Sequence, residues 1–502
     1  MRGRNWPWPL EVLLALALGA LQTLAYVDTS LWWLQLACIG LLAARASRAA
    51  PRGAAALGAA YGTAWVAAGT WWLYISMHRY GGLPAWMAAA AVLALAALLS
   101  LYLAAALAAF ARWRSGRPLA DALLFAAVWL LAELARGVLF TGFPWVAAGY
   151  AQLDGPLAAW APWLGVYGIG ALAAFAAALL ALRPERTPLG WLRGVGLPVL
   201  VVLGPWLAGV PEFTRPTGTL AVTLLQGNIP QDEKFEATHQ AAALEWHVQA
   251  LGAASGDLVV APETAIPFLP QQMPEGLWSG LEQRFGQGPT AALIGVPLGD
   301  ERAGYTNSAA GFAAGQAPYR YDKQHLVPFG EFIPPLFRWF TELMNIPLGD
   351  FNRGPLLAPS FVVKGERVAP NICYEDLFGE ELAARFRDAE GAPTLLANLS
   401  NIGWFGQTIA VTQHLNISRM RSLELQRTML RATNTGATVA IDHHGVVTHA
   451  LAPHTRGVLH ASVRGRAGNT PFAAWASRFG LWPLFVLALV PLGWAARRGA
   501  RP

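Results

Sequence analysis

Two long apolar regions dominate the hydrophobic pattern of this chain, one over roughly residues 7–210 and a shorter one over 474–496. A helix that crosses the hydrocarbon core of a bilayer needs about 20 predominantly apolar residues. The apolar runs therefore predict eight spanning helices, near residues 8–26, 30–45, 55–76, 85–111, 119–139, 160–182, 190–210 and 475–496. We expect the first run to be a retained helix rather than a cleaved signal sequence, because further apolar runs follow it directly.

The region between them, residues 214–466, has the mixed composition of a globular domain. It begins with alternating apolar positions at Leu220, Val222 and Leu224, a pattern typical of a half-buried strand. Further strands are predicted at 257–262, 292–297, 307–313, 360–364, 367–373, 394–399, 437–442 and 445–449, with helices near 238–253, 275–286, 377–388 and 409–431. Alternating strands and helices predict an α/β fold. The predicted domains are a seven-helix transmembrane domain over 1–213, this α/β domain over 214–466, and an eighth spanning helix with its tail over 467–502.

Arginine placement predicts the direction in which the chain crosses the membrane. Charged residues make up only 13% of the chain, yet arginines recur at alternate connections between the predicted spans. One side holds Arg2, Arg4, Arg45, Arg48, Arg52, Arg112, Arg114, Arg117, Arg183, Arg186, Arg193, Arg497, Arg498 and Arg501. The short connections of the other side hold little beyond Arg79 and Arg136. The positive-inside rule makes the first side cytoplasmic and residues 211–474 external. Membrane anchoring then accounts for the net charge of +6, which indicates no nucleic-acid partner.

Candidate chemistry lies where apolar, strand-like runs end. Glu263 follows the apolar run 258–262, and Cys373 follows the run 368–372 with acidic residues directly after it. Lys323 lies in a loop punctuated by Gly and Pro. A carboxylate base, a cation and a thiol are the components of a thiol acyl-transfer site. The alternative for a single cysteine is a small buried apolar side chain, which is our interpretation of Cys38 in the second predicted span.

The cysteine count favours the same residue. The chain has two cysteines, and a disulfide between them would have to join the membrane interior to the external domain. Cys373 is therefore expected to be unpaired on the oxidising side of the membrane, where an unused thiol is a liability. Since no metal-ligand spacing, dinucleotide-binding glycine motif or P-loop occurs, the sequence predicts neither a metal nor a cofactor.

Charged residues also mark the predicted helix 409–431 and the end of the fifth predicted span. The former carries His414, Arg419, Arg421, Glu424, Arg427 and Arg431. Mixed charges at such spacing are typical of a solvated or subunit-facing surface, and we interpret them in that way. Glu133 and Arg136 lie three residues apart in the fifth predicted span and are interpreted as a structural pair.

The segments around Glu263, Lys323 and Cys373 resemble those of the nitrilase, or carbon–nitrogen hydrolase, superfamily. The stretch KQHLVPFGEFIP, residues 323–334, together with the membrane spans, is similar to the family of apolipoprotein N-acyltransferases. The superfamily resemblance implies an αββα sandwich. It also implies that Glu263 is the base, that Cys373 is the nucleophile, and that Lys323 stabilises the thiolate and the oxyanion with a backbone N–H near Tyr374.

The family resemblance extends to residues around this triad. It implies supporting roles for Glu331, Tyr374 and Glu375, although a plain salt bridge is an alternative for Glu331. The predicted substrate-binding residues are Phe143, Pro144, Trp145, Phe235, Trp404 and Phe405. An ordinary aromatic belt is the alternative for the segment 143–145. The sequence departs from the family pattern at Ile402, where the family has an acidic residue, and at Phe235, where it often has Trp.

The function implied by the resemblance is a bacterial inner-membrane acyltransferase with a periplasmic catalytic domain, acting as a monomer. A phospholipid, the sn-1 chain of phosphatidylethanolamine by family resemblance, would acylate Cys373 as a thioester. The chain would then pass to the N-terminal α-amine of a diacylglyceryl-cysteine apolipoprotein. One alternative is a membrane-tethered amidase or nitrilase that uses water as acceptor. Another is a transport or receptor protein whose external domain only binds a ligand.

The arginine pattern makes a prediction about topology. A reporter that works only in the cytoplasm should be silent when fused after Gly218 and active when fused after Arg498, because arginine-rich connections stay inside. A reporter that works only after export should give the reverse result. A cytoplasmic signal from the Gly218 fusion would mean that the number of spans before it is wrong by one.

Overall fold

The computed structural model describes residues 7–182, 187–231, 237–333 and 350–499, and these form two compact units. The helical unit contains the chain up to Tyr74, Pro84–Pro211 and the chain from Phe479 onwards. The sheet unit contains Glu212–Arg478 together with Ile75–Leu83, a short connection between two helices of the other unit. The predicted substrate-binding residue Phe235 lies outside the described residues, as do five arginines of the arginine-rich side, Arg2, Arg4, Arg183, Arg186 and Arg501.

Long apolar helices build the helical unit. They are α1 (Trp8–Leu21), α2 (Trp32–Ala46), α3 (Pro51–Thr70), α4 (Ala85–Trp113), α5 (Pro118–Val138), α6 (Ala161–Ala181) and α7 (Pro188–Ala208). Helices α3 and α4 approach closely because α3 presents glycines to its partner. A Cβ on Gly58 would lie 2.8 Å from the carbonyl oxygen of Leu103, and one on Gly62 would lie 2.8 Å from the Cβ of Ser100. Small residues of this kind let the backbones of membrane helices come into contact.

The sheet unit consists of two six-stranded sheets. The first has the order β12-β1-β2-β3-β4-β5 and the second the order β11-β10-β9-β8-β7-β6. The strands are β1 (Arg215–Gln226), β2 (Leu258–Val260), β3 (Ala291–Asp300), β4 (Gly304–Phe312), β5 (Tyr319–Asp322), β6 (Phe361–Val363), β7 (Glu366–Ile372), β8 (Leu395–Ser400), β9 (Thr428–Thr433), β10 (Val439–Ile441), β11 (Val447–Ala450) and β12 (Gly457–Ala467). Strands β1, β2 and β3 are parallel, as are β7, β8 and β9, and the outer pairs are antiparallel.

The two sheets pack face to face, and helices cover their outer faces. Leu224 and Val260 of the first sheet share one buried cluster with Ile372 and Leu399 of the second. Helices α8 (Ala237–Ala253) and α9 (Leu277–Gln287) pack on the other side of the first sheet. The helices on the side of the second sheet are α10 (Gly379–Ala384) and α11 (Ile409–Leu425). The short helix α12 (Pro471–Phe479) follows them in the chain. The described residues thus form the twin-sheet layers that the resemblance implied.

Fewer than eight helices of the described residues are, by themselves, long and apolar enough to be candidate membrane spans. The final helix is α13 (Trp482–Gly499). With it, a helix lies near each of the eight predicted spans. Five helices are long and apolar enough to cross a membrane, or six if the bent pair Pro471–Phe479 and Trp482–Arg498 is one span. Helix α2 has only 15 residues, or about 22 Å at 1.5 Å per residue, and the glycines of α3 lower its hydropathy. Five to six candidate spans are therefore present in the described residues, and eight remains a prediction.

Two helices of the sheet unit were predicted with wrong bounds, and two of its strands were not predicted. The predicted helix 409–431 ends at Leu425, and strand β9 begins at Thr428. The predicted helix 377–388 shrinks to Gly379–Ala384. Strands β5 and β12 were not predicted, because charged residues interrupt their apolar pattern and the strand pairing comes from distant neighbours.

Candidate active site

The three predicted triad residues all follow the carboxyl ends of strands. Glu263 comes after β2 of the first sheet, Lys323 directly after β5, and Cys373 directly after β7 of the second sheet. Strand β5 runs in the same direction as β2, because a single antiparallel strand separates it from β3. The backbone N–H of Asn401, at the end of β8, donates to Glu263 at 2.8 Å and so connects the two sheets at this edge. Ligands commonly bind at the carboxyl edge of such strands.

A buried ammonium group lies between two carboxylates at this edge. The Nζ of Lys323 is 2.9 Å from the carboxylate of Glu331 and 3.6 Å from Oε1 of Glu263. The side-chain amide of Asn307 donates to both carboxylates at 2.7 Å. Lys323 is 1% exposed, so its charge is balanced inside the protein rather than by water. Burial alone would lower the pKa of Lys323, but Glu331 and Glu263 together raise it above its ordinary value. These two carboxylates therefore favour the charged ammonium form of Lys323.

The thiol of Cys373 is partly buried beside these charges. Desolvation, and after it the negative charge of Glu263, raise the pKa of this thiol to about 12, although the charge of Lys323 acts in the opposite direction. The thiol is consequently protonated at neutral pH in the resting site. Its proton has to leave as the sulfur attacks, which requires a base in contact with the reacting group.

The backbone at Cys373 turns sharply. Its φ of 53° lies in the left-handed region, which is uncommon for a residue with a side chain. A short 3₁₀ turn, Cys373–Leu377, follows at once. The carbonyl oxygen of Cys373 accepts hydrogen bonds from Asn398 Nδ2 at 3.2 Å and from His414 Nε2 at 3.3 Å. These two donors hold the turn that presents the thiol.

Glu375 links the loop after β5 that carries Lys323 (the lysine loop) to the turn Cys373–Leu377 (the cysteine turn). One carboxylate oxygen accepts from the hydroxyl of Tyr321 at 2.8 Å and from the backbone N–H of Ile372 at 2.6 Å. The other accepts from the backbone N–H groups of Gln324 at 2.7 Å and His325 at 3.2 Å. Burial raises the pKa of Glu375, although these hydrogen bonds oppose the shift. The carboxylate thereby couples strands β5 and β7 of different sheets.

The remaining supporting residues shape the lysine loop. Glu331 also accepts from the backbone N–H of Val327 at 2.8 Å, which closes the loop that carries it. The ring of Tyr374 lies edge-on to Phe378 and near His325. The structure thus brings Glu331, Tyr374 and Glu375 together around the triad.

Two of the predicted substrate-binding residues lie beside the triad. Trp404 and Phe405 belong to a 3₁₀ turn, Ile402–Phe405, that directly follows Asn401. The indole of Trp404 is exposed, and its ring lies 5.6 Å from the ring of Tyr80 in an edge-on contact. Tyr80 belongs to the connection Ile75–Leu83, which is part of the sheet unit. Ile402 is buried, so an apolar side chain stands where the family has an acidic one.

The other predicted substrate-binding residues do not belong to the described part of the unit that contains the triad. Phe143, Pro144 and Trp145 belong to the helical unit. The indole of Trp145 is buried there against Trp72, with ring centroids 4.6 Å apart. Phe235 lies outside the described residues. Glu133 and Arg136 form a buried ion pair at 3.2 Å, and Glu133 also accepts from the backbone of Ala148.

A buried polar network lies behind Cys373 and was not predicted from the sequence. His414 Nε2 is 2.9 Å from Asp376 Oδ1, and His414 Nδ1 is 2.8 Å from a guanidinium nitrogen of Arg431. Ser418 bridges Asp376 and Arg431 at 2.5 Å to each, and Arg431 also donates to Asn398 at 3.2 Å. All of these side chains are fully buried.

The network determines which nitrogen of His414 carries the proton. A guanidinium can only donate, so Nδ1 must accept from Arg431. The proton is then on Nε2, which faces both Asp376 and the carbonyl of Cys373. Burial and the charge of Arg431 lower the pKa of His414, against the opposing effect of Asp376. His414 is therefore neutral and oriented toward the cysteine turn.

The interpretation of these charges as a solvated surface was wrong. His414, Arg421, Glu424, Arg427 and Arg431 are buried, and Arg419 is half-buried. Arg431 lies on strand β9, where Leu430 and Ala432 face the core between the sheets. Alternation along a strand sends Arg431 to the opposite face, toward the helix α11 that carries His414. The apolar alternation in residues 428–433 could have indicated this strand.

Comparisons with known proteins identify families and relatives that resemble this chain. Residues 18–179 match the family described as apolipoprotein N-acyltransferase N-terminal domain, and residues 221–472 match the carbon–nitrogen hydrolase family. A protein of Verminephrobacter eiseniae named apolipoprotein N-acyltransferase is 53% identical over 518 residues, covering 98% of this chain and 96% of that protein. One of the same name from Ralstonia nicotianae is 48% identical over 494 residues, covering 97% and 94%. A solved CN-hydrolase superfamily protein of Xanthomonas campestris is 20% identical and covers 53% of this chain and 96% of its own, with a TM-score of 0.36.

Two packed sheets with a carbon–nitrogen hydrolase match, joined to apolar helices, define a membrane protein of the nitrilase superfamily. The chain belongs to the apolipoprotein N-acyltransferase family, and it is a bacterial membrane enzyme of the acyltransferase class.

The neutral state of His414 leads to a prediction about pH. His414→Gln keeps a donor for the Cys373 carbonyl but cannot be protonated, whereas His414→Ala removes the donor and should cost about 1–3 kcal/mol of stability. In the unfolded native chain His414 binds a proton below about pH 6.5, whereas folded His414, whose pKa is lowered, stays neutral there. Neutral His414 therefore contributes to the free energy of unfolding above that pH, and the contribution is lost as pH falls below it. Melting temperature against pH should therefore be flatter in the Gln variant.

The same variants separate positioning from stability. We expect thiol-reagent labelling of Cys373 to change strongly in His414→Ala and little in His414→Gln, because only the latter keeps the hydrogen bond to the turn. Parallel pH curves for native chain and Gln variant would contradict the neutral assignment.

Proposed function

We propose that this chain transfers an acyl group from a phospholipid, through a thioester on Cys373, to the N-terminal α-amine of a diacylglyceryl-cysteine apolipoprotein. The donor would be phosphatidylethanolamine, through its sn-1 chain. The observation that carries the proposal is the convergence of Glu263 and Lys323 of the first sheet with Cys373 of the second, where the carboxyl ends of their strands meet. Relatives that cover nearly the whole chain bear the name of this activity.

Thioester formation is the first half-reaction in this proposal. The sulfur of Cys373 attacks the ester carbonyl while its proton passes to Glu263. Lys323 stabilises the negative charge that develops on the carbonyl oxygen, together with a backbone N–H near Tyr374. The ester C–O bond breaks, and the proton on Glu263 passes to the departing lysophospholipid oxygen. The carboxylate of Glu263 is restored, and the acyl group remains on sulfur.

Amine acylation is the second half-reaction. The lipoprotein amine attacks the thioester carbon, gives up a proton to Glu263, and forms an amide as the C–S bond breaks. The proton then returns to the sulfur of Cys373. Lys323 meets an oxyanion in this step as well, and its raised pKa supports a cation that is present throughout.

Transfer rather than hydrolysis requires that an amine reach the thioester before water. The exposed indole of Trp404, beside the half-buried ring of Phe405, provides an apolar surface next to Asn401 and Glu263 that suits acyl chains. Substrate contact is proposed for Phe143, Pro144, Trp145 and Phe235 on the family resemblance alone.

The proposed topology places residues 214–466 in the periplasm, with membrane domains over 1–213 and 467–502 in the inner membrane. Eight spans, counting α2 and α3, leave both termini in the cytoplasm. The alternating arginines support this arrangement. The connection Ile75–Leu83, which carries Arg79 of the arginine-poor side, packs within the sheet unit and supports it independently.

Intact-mass analysis after incubation with phosphatidylethanolamine tests the nucleophile. We expect an increase of one acyl chain in the native protein, because the thioester forms before an acceptor is present. Cys38→Ala should show the same increase, since that thiol lies in a membrane helix, whereas Cys373→Ala should show none. An acyl increase on Cys373→Ala would refute the assignment. Acyl loss as free fatty acid at the same rate with and without a lipoprotein amine would favour the hydrolase alternative.

Kinetics of the two half-reactions test the proposed roles of the base and the cation. Glu263→Gln should slow thioester formation, because the protonated thiol loses its acceptor. Lys323→Ala should slow both half-reactions, since each passes through an oxyanion, by on the order of 10²–10³. Rapid-quench measurement of acyl-enzyme formation and of amide formation distinguishes them. Normal thioester formation in both variants would refute this division of roles.

A further inference from the structure

A groove of about 600 Å³ opens on the helical unit, and none of the proposed catalytic or substrate-binding residues lines it. It lies where α5 begins, where α6 nears its end, where α7 begins and where the second half of α13 passes. Its size is within the range of about 300–1,000 Å³ that holds small ligands. Leu123, Val490 and Trp494 line it and are exposed at its rim, so the groove communicates with the surface of the unit.

Two arginines line the same groove. Arg117 precedes the first residue of α5, and Arg193 lies in the first turns of α7. Both side chains are exposed, and among the residues that the structure describes neither has an acidic partner. No Asp or Glu occurs among the described lining residues either. The groove thus combines an apolar floor with two arginines that form no ion pair among the described residues.

Aromatic and basic residues beside the groove are typical of a membrane interface. Trp494 contributes its ring to the lining, and the guanidinium of Arg498 lies 3.6 Å from the centroid of that ring. Trp residues and arginines favour the level of the lipid headgroups. The apolar floor is then at the depth of the upper acyl chains, and the guanidinium groups are at the depth of the phosphates.

We propose that this groove is a binding site for an anionic phospholipid. The phosphate would accept hydrogen bonds from Arg117 and Arg193, because guanidinium groups bind phosphate oxygens in a bidentate manner. The acyl chains would lie along Leu123 and Val490. A zwitterionic lipid is disfavoured, since its ammonium group meets two positive charges and no carboxylate in the described lining. Basic pockets between membrane helices are known to select anionic headgroups.

The groove shares no lining residue with the proposed acyl-donor site. Its lining residues include neither the triad nor the aromatic residues proposed to contact substrate. On the proposed topology the groove faces the cytoplasmic leaflet, because Arg117 and Arg193 belong to the arginine-rich side. Lipid selection itself does not depend on that topology or on the triad.

Lipid binding can be measured on delipidated full-length protein by native mass spectrometry and by melting temperature. The probes are phosphatidylglycerol and phosphatidylcholine with identical acyl chains. We expect the native chain to retain phosphatidylglycerol preferentially and to gain thermal stability from it. The double variant Arg117→Gln/Arg193→Gln should lose on the order of tenfold to thirtyfold in apparent affinity for phosphatidylglycerol. Its affinity for phosphatidylcholine should be unchanged.

Two further variants make the test specific. Arg48→Gln/Arg52→Gln removes two exposed arginines of the same predicted side that do not line the groove, and it should bind like the native chain. Arg117→Lys/Arg193→Lys keeps the charges and should retain most of the preference. Equal phosphatidylglycerol binding by the Gln variant and the native chain would overturn the proposal. An equal loss in the Arg48/Arg52 control would also overturn it, as would an equal stabilisation by glycerol phosphate without acyl chains.

Discussion

The buried ammonium group of Lys323 is the interaction on which the rest of the candidate site depends. Transferring an ion from water into a protein costs several kcal/mol, and only well-placed opposite charges and hydrogen bonds offset this cost. Glu263 and Glu331 supply the charge, and the amide of Asn307 holds both carboxylates in place. These residues come from the end of β2, from β4 and from the loop that carries Lys323, so the burial of the lysine depends on the assembled first sheet.

A second constraint comes from the backbone of Cys373. A left-handed conformation at a residue with a side chain costs on the order of 1–3 kcal/mol and persists only where the surroundings enforce it. Here Asn398 and His414 bind the carbonyl of the turn, and Asp376, Ser418 and Arg431 in turn hold His414. Glu375 connects the strand that ends before Cys373 to the loop that carries Lys323, because it accepts hydrogen bonds from the backbone of both. The site is thus assembled from two sheets that are each unable to form it alone.

The helical unit follows a different physical principle. In a bilayer, packing between helices depends on close backbone contact more than on apolar side chains. The glycines of α3 that allow contact with α4 are the same residues that make this helix weakly hydrophobic. The close packing of α3 on α4 and the low hydropathy of α3 therefore have the same cause.

The sequence by itself determined the features that depend on local properties of the chain. The length of apolar runs located a helix near each predicted span, and strand-like runs ending at Glu263 and Cys373 located two members of the candidate triad. The motif around Lys323 indicated the family. Only the tertiary structure decided that the charges of residues 414–431 are buried rather than solvated. Asp376 lies 38 residues from His414 and 55 from Arg431, and a pattern read along one segment contains no information about partners that distant. The same spacing of charges occurs on solvated helix surfaces and in buried polar networks. The packing of α11 on strand β9 is what buries these residues.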